Sequence, residues 1–346
     1  MNSPPMLALD ARLNTLVLKE PFHISGHVFL DTPVLVATLT GAGLAGRGEA
    51  AGVYYTGDTP ERMVETLEGF RAEIQAGPSR MALRELLPAG GARNAVDCAL
   101  WELEALRAGC AVWQLAGLEP PRPRLTTMTV GAASPGKMAS DAQAFDTAKA
   151  IKLKLTGETD LDIERVRAVR KARPDVWLGV DANQGFTPAT IAPLIGTLVD
   201  CRVMLVEQPF ARGREDDMQA IDFPMPTAAD ESCLDLAELE QIHPHFDVIN
   251  IKLDKCGGLT EGLMIAGRAR ALGLKVMVGC MMGSSLAMAP GFVLGQLCDV
   301  VDLDSPISLL NDSSPAVQYR AGDIFSPSEV WGGTPAAQFT LAPADR

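Results

Sequence analysis

The chain has 346 residues, 47% of them hydrophobic, enough for two ordinary domains or one large barrel with an appendage. A formal net charge of −13, with no basic run, argues against a nucleic-acid or anionic-membrane partner. Seven cysteines without a C-x-x-C pair fit reduced core thiols in the cytoplasm better than a disulfide framework or a zinc site, and neither a signal-peptide pattern nor an apolar run of membrane-spanning length is present.

The first hundred or so residues read as a mixed α+β unit. Residues 34–39, VLVATL, predict a strand, and Gly41 to Gly46 a turn. That hexamer spells G-x-G-x-x-G, but a dinucleotide site needs a helix directly behind it. The next residues, Arg47 to Tyr55, are glycine-broken and aromatic and read as the return strand of a hairpin. Helices are predicted over 60–76, behind the cap Thr59, and over 92–108, with a stripe at Val96, Leu100, Leu103 and Leu106.

From about residue 120 short apolar strands alternate with helical segments. Strands are expected over 127–130, 150–155, 176–182, 203–208, 226–231, 247–253, 275–281 and 299–304. Taking Thr129, Lys154, Asp181, Glu207, Asp230, Lys252, Gly279 and Asp304 as markers near their C-terminal ends, the steps run from 22 to 27 residues. Eight such near-equal βα units predict a (β/α)8-type barrel, with an open doubly wound sheet as the alternative. The domains expected are an α+β capping domain over 1–118, the barrel over 119–318, and a C-terminal segment, 319–346, that packs back on the cap.

In such a barrel the chemistry sits at the C-terminal strand ends. Strands three to five end there in Asp181, Glu207 and Asp230, and three converging carboxylates repel unless a hard oxygen-seeking cation such as Mg2+ lies between them. The blander reading is that each acid caps the helix that follows it. In the second strand, AIKLKL, alternation puts Ile151, Leu153 and Leu155 on one face and Lys152 and Lys154 on the other. Taken alone, that lysine pair also suits a solvated edge strand. Asn250, Lys252 and Asp254 share a face of the sixth strand, and Lys255 reads as a solvated loop lysine. Strands two and six lie opposite each other in a ring of eight, so Lys154 and Lys252 would face across the metal. That arrangement suits moving a proton between two faces of one carbon, provided a like charge lowers the lysine pKa.

With the K-x-K at Lys152 and Lys154, the three acids, Asn250-Ile251-Lys252 and the helix ending AVDCALWEL at Leu103, nearly the whole chain resembles the enolase superfamily and, within it, the muconate lactonizing enzyme subgroup. For such sites a Lys or His base with Mg2+ is a general pattern. The eighth strand reads Asp302-Leu303-Asp304, similar to the D-x-D of dipeptide epimerases. The resemblance then implies an isomerase for a small dipeptide substrate. Asp302 and Asp304 would hold the α-ammonium, Mg2+ the C-terminal carboxylate, and Lys154 and Lys252 would exchange the α-proton. Lys152 would lie beside the carboxylate, and Thr129 would donate a hydrogen bond to substrate. A homo-oligomer is compatible with this. The related alternatives are an N-acylamino acid racemase, o-succinylbenzoate synthase or a muconate cycloisomerase-type lyase, whose substrates lack an ammonium group. The resemblance also implies a loop after the first strand of the cap that helps set side-chain preference; here it spans Pro21 to Phe29 and carries no Arg or Lys, although His23, His27 and Arg47 remain as sources of charge. A neutral or apolar C-terminal residue is therefore expected. The small, uncharged loop Met281 to Ser285 also allows one. His243 and His245 flank Pro244 in what reads as a turn.

Overall fold

A computed structural model of the chain describes residues 6–24, 26–333 and, for the backbone alone, 340–341. The N-terminal unit is a three-stranded antiparallel sheet, β1 (Ala8–Ile24), β2 (His27–Gly41) and β3 (Leu44–Ala50), covered by four helices. The expected loop over 21–29 is instead the end of the β1–β2 hairpin, in which His23 pairs with Val28 and Ile24 with His27; Ser25 lies outside the described residues. Between β2 and β3 the chain turns at Ala42 and Gly43, both with positive φ, the conformation a tight hairpin requires. The glycine-rich hexamer is thus a hairpin, and Gly46 lies within β3.

Helix α1 (Pro60–Gly69) starts at Thr59, whose side chain accepts from the Arg62 N–H. The helix expected over 60–76 breaks at Phe70, and α2 (Arg71–Gln75) comes next. Sequence patterning did not anticipate α3 (Arg80–Leu86); its first turn is capped by the Ser79 hydroxyl. The long α4 (Gly91–Ala108) is buried on almost every face, wedged between β3 and the barrel. Across that boundary Arg93 donates to Glu261 at 2.6 Å, the Thr260 N–H donates to Asp97 at 2.9 Å, and the Ala51 and Gly52 N–H groups donate to Asp254 at 2.9 Å.

The second unit is an eight-stranded parallel sheet whose strands run in chain order around the ring. They are Met128–Val130, Ala150–Lys154, Trp177–Asp181, Val203–Glu207, Thr227–Ala229, Val248–Ile251, Lys275–Val278 and Val300–Val301. The ring closes where the Thr127 N–H donates to the Val301 carbonyl at 3.0 Å. Two of the eight expected βα units lack their α-helix. After the fourth strand the chain passes through a 3-10 turn, Glu215–Ala220, and after the eighth through another, Ser305–Ser308. Outward-facing side chains such as Ile151, Leu153, Val180 and Ile249 join one core with the surrounding helices.

Beyond the barrel, Gln318–Arg320 and Asp323–Phe325 pair with each other, and Asp323–Phe325 pairs with Arg124–Leu125. Farther on, the Trp331 indole donates to the Arg47 carbonyl at 2.9 Å, and the Gly332 N–H to Glu102 at 3.1 Å. Of the expected C-terminal segment, residues 334–339 and 342–346 lie outside the described residues. All seven cysteines are free thiols, and among the described residues no helix is long and apolar enough to cross a membrane.

Candidate active site

Strand alternation delivers the charged groups. In the second strand the odd-numbered aliphatic residues pack outward, so Lys152 and Lys154 point into the ring, both buried. The third and fourth strands end on Asp181 and Glu207, and Asp230 directly succeeds the fifth. Oxygens of these three carboxylates lie within 4.8 Å of one another, and all three side chains are sealed from solvent.

The lysines surround the acids. Lys154 donates to Asp181 at 2.6 Å and Lys252 to Asp230 at 2.6 Å. Lys152 lies 3.2 Å from Glu207 and is hydrogen-bonded to Asp302. Asn250 donates to the other Glu207 oxygen at 2.7 Å. The parity argument therefore holds for Asn250 and Lys252. It fails for Asp254, because the sixth strand ends at Ile251 and a short helix, Leu253–Cys256, turns that carboxylate to the cap. The same turn brings in Lys255. It is not solvated: its ammonium is buried and donates to Asp230 at 2.7 Å and to the Asn250 carbonyl at 2.9 Å.

The electrostatics derive from burial and neighbours. Burial alone would raise the Asp230 pKa, but Lys252 and Lys255 hold it far below the ordinary range. Glu207 is pushed up to about 7, by burial and by Asp181. Glu231 is pushed up to about 8, by burial and by Asp230. Burial lowers the Lys252 pKa, yet Asp230 and Glu207 outweigh it and keep it well above the usual lysine value. For Lys252 the protein's own carboxylates thus act against the depressed pKa that the sequence reading asked of a base, since its ammonium touches Asp230.

The donor set fits a hard divalent cation. It consists of oxygen only, and two further buried oxygens beside it, Asn183 Oδ1 and Glu231 Oε2, have no hydrogen-bond partner. Such oxygens suit Mg2+ and the waters it retains.

At the eighth strand the two aspartates differ. Asp302 accepts from Lys152 with one oxygen and from the Thr127 hydroxyl with the other. Asp304 accepts from the Thr129 N–H at 2.5 Å, and burial together with Asp302 lifts its pKa to about 6. Thr129 is half-buried in the wall of the same cavity.

The cap closes the top. Phe22, Ile24, Phe29, Tyr54 and Tyr55 line the cavity together with Met281 and Met282. The Tyr55 hydroxyl is buried and has no partner. Sequence reading did not single out Tyr55, Asn183 or Glu231 as site residues. Glu231 adjoins Asp230 and Asn183 lies two residues past Asp181, which was the only local signal. Arg47, a cation that the sequence left open for the site, instead pairs with Glu102. His23 and His27 do not line the cavity, and His27 stacks on Tyr54 with ring centroids 4.9 Å apart. His243 caps the helix Leu236–Ile242, away from the site.

Residues 10–117 match the family model described as mandelate racemase / muconate lactonizing enzyme, N-terminal domain, and residues 137–301 match the model described as enolase C-terminal domain-like. The chain is 35% identical over 307 residues to the L-Ala-D/L-Glu epimerase of Escherichia coli, covering 89% of this chain and 96% of that one. Among solved structures it resembles an enolase family member from Agrobacterium tumefaciens, described as homologous to dipeptide epimerases and bound to sodium and L-Ala-L-Glu. The TM-score is 0.90 at 34% identity, covering 94% of this chain and 100% of that one. It also resembles the dipeptide epimerase of Enterococcus faecalis complexed with Mg and L-Leu-L-Tyr. There the TM-score is 0.85 at 27% identity, covering 96% and 98%.

Proposed function

The chain belongs to the mandelate racemase / muconate lactonizing enzyme family of the enolase superfamily, and from that premise we propose that it epimerises dipeptides at the α-carbon of the C-terminal residue. The observation that carries this reading is the pairing of two buried lysines on opposite strands with the buried acidic triad. Asp181, Glu207 and Asp230 hold Mg2+. When bound, it offsets the negative charge that builds on the substrate carboxylate as the α-proton leaves.

One of Lys154 and Lys252, as the neutral amine, takes the α-proton from its face. The other, as the ammonium, returns a proton to the opposite face, so the centre inverts and charge is conserved. Lys152 lies beside the substrate carboxylate. The substrate ammonium sits against Asp304, with Asp302 behind it, and Thr129 donates a hydrogen bond. This pair of acids favours a free N-terminus over the N-acyl and lyase substrates of relatives. Among the described residues no Lys or Arg belongs to the apolar wall above the α-carbon, so a C-terminal Glu or Asp finds no counter-charge there.

The test tracks the α-proton in D2O. With Mg2+ present, the enzyme should exchange the C-terminal α-proton of L,L-dipeptides. Lys154→Ala and Lys252→Ala should each abolish epimerisation while retaining Mg2+ binding. Full turnover by either variant removes the two-base assignment.

A further inference from the structure

The free space around the lysines and the acidic triad is small, about 80 Å³, whereas ordinary ligand pockets run to several hundred. It has room for the reacting groups of a dipeptide but not for large substituents on both residues. A larger cavity, about 920 Å³, adjoins it. Phe22 of the cap, Thr129 of the first barrel strand and Ser308 beyond the eighth belong to both walls. This gap therefore lies between the loops that follow the eighth and first strands, against the end of β1.

Cap and barrel meet at three points around it. The Ala132 N–H donates to the His23 carbonyl at 2.9 Å, Lys19 donates to the Ile307 carbonyl at 2.7 Å, and Lys137 of the helix Pro135–Ala144 pairs with Glu20 at 3.4 Å. The charges in the wall are answered inside the protein. Lys137 also pairs with Asp141 at 2.5 Å, and Arg165 pairs with Asp162 at 2.7 Å and donates to the Ala133 carbonyl at 2.7 Å. His23 is exposed. The wall left open to a ligand is mainly apolar: Pro21, Phe22, Ala133, Ala144, Phe145 and Ile307 all line the gap, and each keeps part of its surface accessible.

The proposed reaction decides which part of a substrate stands at this opening. The substrate ammonium lies against Asp304, and Asp304 accepts from the Thr129 N–H at 2.5 Å, so the ammonium end lies beside Thr129. The N-terminal α-carbon is bonded to that ammonium. Its side chain therefore starts at the threshold formed by Phe22, Thr129 and Ser308. The C-terminal side chain leaves from the α-carbon between Lys154 and Lys252 and does not compete for the gap. We propose that the gap receives the side chain of the substrate's N-terminal residue, and that a large apolar residue is preferred there. Burial of that side chain against the apolar wall strengthens binding. It stays clear of the reacting carbon, holds substrate and transition state alike, and so acts on KM rather than kcat.

This inference rests on the dipeptide reading, so the experiment separates the two. The rate of α-proton exchange in D2O, with Mg2+, is compared for Gly-L-Leu against L-Leu-L-Leu and for Gly-L-Glu against L-Leu-L-Glu, so that the C-terminal preference cancels within each pair. In any pair that exchanges, kcat/KM for N-terminal leucine should exceed that for glycine by about tenfold or more, with the difference in KM. Filling the gap by Ala133→Phe should bring that ratio toward one. A wild-type ratio of one or less, or a ratio unchanged in Ala133→Phe, overturns the inference and leaves the dipeptide reading intact. So does faster exchange of Gly-Gly-L-Leu than of Gly-L-Leu, which would give the gap to a further residue. The wild-type comparison decides alone if the variant does not fold. Exchange with none of the dipeptides overturns the dipeptide reading itself.

Discussion

The ammonium of Lys152 has a carboxylate from three strands around it: Glu207 at 3.2 Å, Asp181 at 3.8 Å, and the hydrogen-bonded Asp302. On the proposed function Asp302 would act through Lys152, since its second oxygen is taken by Thr127. Asp304 keeps an oxygen for a ligand. The two members of the D-x-D pair should then separate kinetically. Asp304→Asn should raise KM for a free dipeptide by about tenfold or more, whereas Asp302→Asn should act mainly on kcat, by about ten- to a hundredfold. The sign of the pH effect is set by the raised Asp304 pKa, about 6. An ionised carboxylate is needed to hold the ammonium, so kcat/KM should fall as pH drops through about 6, and Asp304→Asn should lose that limb. A pH–rate profile of wild type and variant decides it. At this scale the sequence was most legible where strand alternation ruled. Lys152, Lys154, Asp181, Glu207 and Asn250 all point inward as a period of two demands. Lys255 escaped because one turn of helix, Leu253–Cys256, replaces the strand and rotates it inward. Tyr55 and Glu231 escaped because a single 3-10 turn and a tight turn are too short to show a period.

Among the elements, β3 and α4 fit together through glycine. A Cβ on Gly46 would lie 2.0 Å from the Ala99 carbonyl oxygen, and one on Gly48 would lie 2.1 Å from that of Ala95. Both obstacles are helix backbone, which cannot swing aside. Gly48→Ala should destabilise the protein by at least about 2 kcal/mol, seen as a lower denaturant midpoint, whereas the same change at the helical Gly196, with open space around it, should be neutral or slightly stabilising. The G-x-G-x-x-G spelling is accounted for by this close packing and by the tight turn at Gly43, with no nucleotide involved. Element type was readable for the barrel because eight strands recur at even spacing. The missing helices after strands four and eight were not, because equal spacing does not reveal whether a linker coils into a helix or lies as a loop. The break at Phe70 was equally hidden, since α1 and α2 continue one apolar pattern through Met63, Leu67 and Ile74.

At the scale of the whole molecule, the cap and barrel are joined through buried carboxylates. Glu49 in β3 accepts from the Ser284 N–H at 2.6 Å, Asp254 from two cap N–H groups, and Asp97 from Thr260. Burial lifts Glu49 and Asp254 to about 7 and Asp97 to about 6. Each folded-state pKa lies above its unfolded value, so the folded protein binds more protons than the unfolded chain between about pH 4 and 7. The stability these groups contribute is complete below about pH 4 and is lost as pH rises to about 7. In the variant Glu49→Gln/Asp254→Asn, which keeps a hydrogen-bond acceptor at both positions, Tm should vary less between about pH 5 and about pH 8 than in wild type. An unchanged slope would show that other groups set the pH dependence.

The cavity walls have a consequence for descent. Every ionised group assigned to the reaction projects from the barrel, while the cap supplies aromatic and aliphatic surface from the β1–β2 hairpin and the turn at Tyr54 and Tyr55. On the proposed function, reaction and side-chain preference would then be written in separate parts of the gene. Drift in the hairpin and that turn can change which side chain is admitted without touching the proton-transfer machinery. Relatives with different substrates should accordingly diverge first in the cap, and exchanging that short stretch between them should carry the preference across with the barrel unaltered.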